Sequence, residues 1–251
     1  MTNLSRRVFF KTTTAAFVAA SLATPALAAD PIILGIPAAQ SGPVGVADHQ
    51  DWTNGAMMAI EEINAAGGVK GRPIEAKIID LDMLSPEGNV AGIQALIEGG
   101  AHAIASAFTI IPQPAMDTAA PSGIPYVHGN TSSVNVDLFK SDKEKYRNIF
   151  QLDVPEVWYG TGFVRFMSSL RDSGQWKPKN NKVHIVQGQI SYTQMISQAT
   201  QKEIAASNGG WEVAAVTDIQ FPVQDWAPVI RALQDTDAGA IMIDHWIAAE
   251  L

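Results

Sequence analysis

The stretch that decides the fold is Ala59-Ile-Glu-Glu-Ile-Asn-Ala-Ala-Gly-Gly-Val-Lys-Gly-Arg-Pro73, where three glycines and two cations stand close together. Glycine-rich loops bind phosphate when their backbone amides precede a helix, because the helix N-terminus carries partial positive charge. Here the glycines follow a predicted helix, Trp52 to Ala66, whose exposed end groups are carbonyls. The pattern therefore predicts that Gly67 caps the helix in a left-handed conformation and that Val69 to Pro73 turn into a strand.

Around this stretch, short β-rich runs alternate with amphipathic runs at helical spacing. Strands are predicted over residues 32–36, 74–79, 103–107, 124–127, 183–186, 211–216 and 240–243, and helices over 52–66, 86–98, 112–120, 156–170, 192–206 and 226–233. In the first helix, the predicted buried face consists of Ala56, Ala59, Ile60 and Ile63. Strands that alternate with helices predict an α/β fold of doubly wound parallel sheets.

The alternation is interrupted once, which predicts two lobes. The charged run Ser141 to Arg147 is interpreted as a solvated loop or helical turn, and the extended apolar segment Asn148 to Pro155 as a crossing between lobes. We therefore expect a first α/β lobe over residues 30–150 and a second, incomplete lobe over 151–251. The final residues, 246–251, are typical of a helix that begins without a stop signal, and we expect the chain to be a fragment.

The N-terminus has the parts of a cleaved export signal over residues 1–29. A charged start containing Arg6 and Arg7 precedes a short apolar run, and small residues around Ala28 suit signal cleavage. Ser5 before the paired arginines and Phe9-Phe10-Lys11 after them resemble the twin-arginine export motif. An ordinary secretory signal with two adjacent arginines is the alternative. Both predict a periplasmic or extracytoplasmic protein.

Composition and missing motifs exclude several classes of function. The net charge is −8, no lysine-arginine cluster occurs, and the chain has no cysteine, so nucleic-acid binding and thiol chemistry are not expected. No Gly-x-Ser-x-Gly elbow is present, and the five histidines form no helical metal-ligand pair. Gly160 and Gly162 lack the third glycine of a dinucleotide fingerprint. Asp80 and Asp82 could hold a metal but are more simply solvated. The sequence thus predicts no enzyme, no metal and no cofactor.

The helix-turn-strand pattern from Ala59 to Asp80 resembles the start of the type I periplasmic solute-binding proteins of ABC importers, in the leucine-binding-protein-like class for branched-chain amino acids and amides. Further motifs follow in the order of that family. Ser41-Gly-Pro43 resembles its first ligand loop, Ser122-Gly-Ile-Pro125 the turn into its fourth strand, and Gly129-Asn-Thr-Ser132 a second ligand loop. Together these motifs cover most of the chain after the signal.

The resemblance implies two lobes that close on a small-molecule ligand such as an amino acid or amide. It also implies a membrane ABC permease as partner, and we expect a monomer. A sensor domain of the same fold that signals rather than transports is an alternative, and an exported α/β enzyme is a third hypothesis.

Candidate ligand residues follow the strands, because loops at the carboxyl ends of parallel strands meet at one crevice. Thr109 and Thr131 offer hydroxyls there, although both could simply cap helices or form turns. The resemblance implies that Thr109 meets a ligand carboxylate and that the loop of Gly129, Asn130 and Thr131 meets the amine and carboxylate.

From the second lobe, the resemblance implies that Tyr192 and Trp246 line the crevice as aromatic walls, with core packing as the alternative for each. Three positions depart from the family pattern. Asp48 stands in the first loop region, Asp244-His245 replace small residues after the last strand, and Trp52 is unexpected. A carboxylate in the crevice would favour a cationic or hydrogen-bond-rich ligand, whereas a solvated aspartate is the alternative.

Overall fold

The structure is a computed structural model that describes residues 30–207, 210–220 and 225–244. The predicted export signal with Arg6 and Arg7, and the predicted aromatic wall residue Trp246, lie outside the described residues. Within the described residues, no helix is both long and apolar enough to cross a membrane.

Strands and helices alternate along the chain. The strands are β1 (Ile32–Ala38), β2 (Ile74–Asp80), β3 (Ala103–Ser106), β4 (Tyr126–His128), β5 (Ile149–Gln151), β6 (Lys182–Gly188), β7 (Glu212–Ile219) and β8 (Ala240–Asp244). The helices are α1 (Val46–Ala65), α2 (Pro86–Glu98), α3 (Pro112–Ala119), α4 (Ser133–Ser141), α5 (Val157–Asp172), α6 (Ser191–Ala206) and α7 (Ala227–Thr236), with a 3₁₀ turn at Ala120–Ser122.

The strands form two sheets. Five strands pair in the order β2-β1-β3-β4-β5 and three in the order β7-β6-β8, and every strand pair is parallel. Helices pack against both sheets, which confirms the predicted α/β fold with parallel sheets in two lobes. The division at residue 150 stays a prediction; β5 spans it and belongs to the first sheet.

Each sheet has its own hydrophobic core. In the first, α2 and α3 cover the sheet through buried residues that include Ile93, Ile104 and Met116. In the second, α5 and α6 cover β6 and β8 through residues that include Val164, Ile185 and Met242. Gly160 allows α5 and α6 to approach closely, because a Cβ there would lie 2.3 Å from the Ile196 carbonyl oxygen. This glycine thus has a packing role in a helix and forms no dinucleotide loop.

Helix α1 differs from its prediction in where it starts and in which residues it buries. It begins at Val46 rather than Trp52, directly after Gly45 in a left-handed conformation. Its buried residues are His49, Thr53 and Ile60, whereas Ala59 and Ile63 are exposed. The predicted face was right at Ala56 and Ile60, which pack in the core, and wrong at the two exposed positions, because the buried side of the helix also includes His49 and Thr53. Trp52, unexpected from the family pattern, packs against the core of Ile36, Ala38 and Ile60.

Helix α4 was not predicted, since the segment after Thr131 contains few strong helix formers. Its first turn is held by a distant carboxylate: Ser133 donates its backbone N–H and its hydroxyl to the side chain of Glu156, at 2.5 and 2.8 Å. Glu156 is buried and lies immediately before α5. A negative charge at a helix N-terminus is stabilising, so tertiary contact rather than local propensity forms this helix.

The glycine-rich stretch after α1 is a turn, as predicted. Gly67, Gly68 and Gly71 all have positive φ, and Val69 pairs with Arg72 in an isolated antiparallel bridge. A Cβ on Gly68 would lie 2.1 Å from the Arg72 carbonyl oxygen, so only glycine fits there. The Arg72 guanidinium donates to the carbonyls of residues 30 and 31, at 2.7 and 3.1 Å. This cation therefore supports the turn instead of being solvated.

Candidate ligand-binding site

Two loops lie side by side at the carboxyl ends of adjacent strands in the first lobe. One follows β3 and carries Thr109; the other follows β4 and carries Gly129, Asn130 and Thr131. Strands β3 and β4 are parallel, with Ser106 opposite His128, so the loops that follow them begin at the same level. The structure thus brings together four of the five candidate ligand residues predicted for this lobe, and Asp48 is the exception.

Asn130 joins these two loops. Its side-chain oxygen accepts the Thr109 N–H at 3.2 Å, and its side-chain nitrogen donates to the Thr109 carbonyl at 2.8 Å. Both polar ends of the buried amide are thereby used within the protein. Asn130 therefore holds the loops in position, a role that the sequence pattern did not indicate.

Gly129 brings its loop against the end of β3. Its N–H donates to the carbonyls of Ser106 and Ala107, at 3.1 and 2.8 Å. A Cβ at residue 129 would lie 2.7 Å from the Ala107 carbonyl oxygen, which is closer than real side chains approach. Glycine is therefore required by backbone proximity, and its N–H is occupied by the protein.

The Thr109 hydroxyl is the unsatisfied group of this loop pair. Thr109 is 3% exposed, and its Oγ1 has no hydrogen-bond partner. A buried hydroxyl without a partner costs on the order of 1–3 kcal/mol, and the described residues contain another, that of Thr53 in α1. Thr109 is thus a hydroxyl that a ligand can satisfy, and it caps no helix: α3 begins after Ile111, which makes no side-chain cap.

Tyr192 of the second lobe contacts the threonine loop that follows β4. It lies in the first turn of α6, and its phenol oxygen accepts a hydrogen bond from Thr131 Oγ1 at 2.9 Å. The Thr131 carbonyl accepts the N–H of Glu156 at 2.9 Å, so the chain between the lobes also contacts this loop. Thr131 and Tyr192 therefore join the two lobes across the crevice.

The surroundings of the Tyr192 hydroxyl are acidic. Burial raises its pKa, the hydrogen bond from Thr131 partly offsets that rise, and the carboxylates of Glu156, Asp153 and Asp244 raise it further. Asp153 and Glu156 lie on the segment before α5, and Asp244 lies at the end of β8, so two segments place carboxyl groups near this hydroxyl.

Asp244, at the carboxyl end of β8, is buried rather than solvated. It is 5% exposed, and its Oδ2 has no hydrogen-bond partner. Burial raises the pKa of its carboxyl to about 7. The sequence offered only a weak signal for this burial, namely an aspartate on the same face of the strand as the buried Met242.

Asp48 is exposed in the first turn of α1, and no hydrogen bond links it to the threonine loops. The buried residue there is its neighbour His49, which the sequence did not single out. His49 Nδ1 accepts the Ala39 N–H at 2.8 Å, and its ring meets Phe108 edge-on with centroids 4.8 Å apart. Burial lowers the pKa of His49, while Asp48 and the Phe108 backbone partly oppose the change.

Asp80 is used internally, as an acceptor for the first loop. It accepts the N–H of Gln40 at 2.8 Å, the N–H of Ser41 at 3.2 Å and the Ser41 hydroxyl, and these bonds lower its pKa. It thereby fixes the first loop at the end of β1. Across the described ranges, no three histidine or acidic residues are grouped to bind a metal ion.

A cavity of about 670 Å³ lies beside this first loop, between the ends of β1 and β2 and helix α2. It is lined by residues that include Ser41, Pro43, Asp80 and Met83. The loop Ser41-Gly-Pro43, which resembles the first ligand loop of the family, lines this cavity, whereas Thr109 and Thr131 do not.

The two α/β lobes place polar loops at the carboxyl ends of their parallel strands, which is where open α/β sheets bind ligands. A family described as "Periplasmic binding protein" matches residues 31–249, and the chain belongs to that family. The members of the family are substrate-binding proteins. The earlier resemblance is thereby confirmed.

Particular relatives agree with this assignment. The chain is 35% identical over 112 residues to the leucine-, isoleucine-, valine-, threonine-, and alanine-binding protein of Pseudomonas aeruginosa, over 44% of this chain and 29% of that protein. A solved branched-chain amino acid ABC transporter protein from Silicibacter pomeroyi is 32% identical with a TM-score of 0.79, over 88% of this chain and 55% of that one.

A branched-chain amino acid transporter substrate binding protein from Streptococcus pneumoniae, solved with isoleucine, has 19% identity and a TM-score of 0.67 over 85% of this chain and 56% of that one, which shows the shared fold. The present chain thus spans about half the length of the solved relatives.

Proposed function

We propose that this protein captures a small polar organic molecule, an amino acid or amide, between its two lobes and delivers it to a membrane permease of an ABC importer. The observation that carries the proposal is the buried Thr109 hydroxyl, which has no hydrogen-bond partner. Asn130 holds Thr109 beside the loop from which Thr131 contacts Tyr192 of the second lobe.

The first lobe would bind the ligand carboxylate. Thr109 supplies a hydroxyl that can donate to an anionic oxygen, and Asn130 fixes its backbone so that the hydroxyl position is preorganised. A hydrogen bond to a charged group contributes about 1.5–3 kcal/mol, more than one between neutral groups. Isoleucine and benzoate, present in two solved relatives, both carry a carboxylate.

The second lobe would close over the ligand. The hydrogen bond from Thr131 to Tyr192 supplies a latch between lobes, and the ring of Tyr192 shields the crevice from water. Trp246 would add a second aromatic wall, as the family resemblance implies. Lobe closure by hinge motion is the mechanism we infer, with the protein acting as a monomer after export through the signal at residues 1–29.

Isothermal titration calorimetry tests this proposal with a panel of L-leucine, L-isoleucine, L-glutamine, L-lysine, L-ornithine, acetamide and urea. We expect at least one compound to bind with a dissociation constant in the micromolar range or below. Tyr192→Phe removes the latch and should weaken binding several-fold. Tyr146→Phe is the matched control, because the Tyr146 hydroxyl donates to Asp117 at 2.6 Å outside the crevice. The absence of heat with every compound, or equal losses in both variants, would contradict the proposal.

A further inference from the structure

Asp244 differs from the other buried or bonded carboxylates of the protein. Asp80 is bonded by the first loop, and Glu156 by the start of α4. Asp117 is bonded by Lys145 and Tyr146. Asp244 is the only carboxylate of the described residues with a buried oxygen that lacks a hydrogen-bond partner.

The strand geometry places this carboxyl at the crevice. Side chains alternate along a strand, so Asp244 lies on the same face of β8 as Met242. Met242 packs into the core beneath α6, where its sulfur contacts the Thr200 hydroxyl at 3.1 Å. Two residues further toward the carboxyl end, Asp244 reaches the level of the first turn of α6. This is the turn from which Tyr192 contacts the first lobe.

Within the described residues, no cation pairs with this group. None of the ion pairs in the described part of the chain includes Asp244, and burial is what raises its pKa. A desolvated carboxyl without a donor is costly, and the cost falls when a ligand brings a positive charge to it. The other carboxylates near Tyr192, those of Glu156 and Asp153, add to the negative potential.

We propose that Asp244 is a specificity residue that binds a side-chain amine of the ligand, so that the protein selects amino acids with a second, protonated nitrogen. This inference rests on the function proposed above. The carboxylate end of the ligand lies at Thr109 in the first lobe, and the far end lies against the second lobe. There Asp244 accepts the ammonium hydrogen bonds, with Tyr192 covering the contact.

The test uses pairs of amino acids that differ in one amine. L-Ornithine is compared with L-norvaline, and L-lysine with L-norleucine, by calorimetric titration of the full chain. We expect the diamino member of at least one pair to bind at least tenfold more tightly. Asp244→Asn should reduce that preference to less than threefold, because it removes the charge and keeps the side-chain shape.

Asp218→Asn is the matched control. Asp218 and Asp244 both lie opposite Gln187 in the sheet, on either side of β6, but Asp218 is exposed and accepts a hydrogen bond from Gln187 at 2.7 Å. It should keep the wild-type preference. Asp244→Asn should also raise the thermal midpoint of the ligand-free protein, since it removes a desolvated ionisable group. A raised thermal midpoint would show that the variant is folded, so that its loss of preference for the diamino compound reflects a change in binding.

Equal affinity within each pair, or a preference that survives Asp244→Asn, overturns the inference. Binding of leucine or an amide without binding of any diamino compound also overturns it, while the proposed function stands. The absence of binding by all compounds of both panels overturns the proposed function, and the inference with it.

Discussion

The glycine turn after α1 and the threonine loops after β3 and β4 both contain glycine and polar residues, and they have opposite roles. In the turn, Gly68 meets a carbonyl too closely for any side chain, and Arg72 is bonded to carbonyls of the strand entry. In the threonine loops, the Thr109 hydroxyl is buried without a partner. Polar groups in the turn are therefore used by the protein itself, whereas the Thr109 hydroxyl is left for a ligand.

The largest expected effect is on the turn. Gly68→Ala should lower the free energy of unfolding by more than about 3 kcal/mol, because it adds a clash with the Arg72 carbonyl to the cost of a left-handed conformation. Gly67→Ala is the matched control: its φ is also positive, but no atom lies within 4 Å of its Cβ, so the loss should be about 1–2 kcal/mol. Urea unfolding measures both.

Similar losses at the two glycines would contradict the account of the turn. Ligand affinity should be unchanged in the variants that remain folded, because the turn lies at the helix C-terminus, away from the carboxyl ends of the strands.

A smaller loss of stability is expected at Asn130, whose buried side-chain amide joins the two threonine loops. Asn130→Ala should cost about 2–4 kcal/mol, because it leaves the N–H and carbonyl of Thr109 without partners, and it should weaken ligand binding as well. Asn135→Ala is the control, since Asn135 is equally buried and neither of its side-chain polar atoms is bonded. Its stability change should stay within about 1 kcal/mol. Equal losses would show that Asn130 has no special positioning role.

The sequence predicted the regular elements well where local signals agree. Helix α2 was predicted at its observed bounds, because Pro86 starts it, Ser85 caps it and Gly99 follows it. Helix α4 was missed because its first turn is held by Glu156, 23 residues away in the chain. The predicted face of α1 was right at Ile60 and wrong at Ile63, because the buried side of the helix also includes His49 and Thr53.

The candidate site was predictable only in part. Thr109 and Thr131 follow from the rule that crevice loops lie at strand ends, and the structure places them side by side. The positioning role of Asn130 and the burial of Asp244 could not be read from sequence, because both depend on contacts between segments 21 or more residues apart. The alternation of apolar and polar residues predicts which face of a strand is buried. It does not predict which buried polar atoms lack hydrogen-bond partners.

The most direct test of the central claim compares two buried threonines. Thr109→Val should reduce the affinity for the tightest-binding compound of the panel at least tenfold and change stability by less than about 1 kcal/mol, since its hydroxyl has no partner in the protein. Thr200→Val should do the reverse, losing about 1 kcal/mol of stability with affinity unchanged, because the Thr200 hydroxyl donates to the Ile196 carbonyl at 3.0 Å. Unchanged affinity in Thr109→Val would contradict the account.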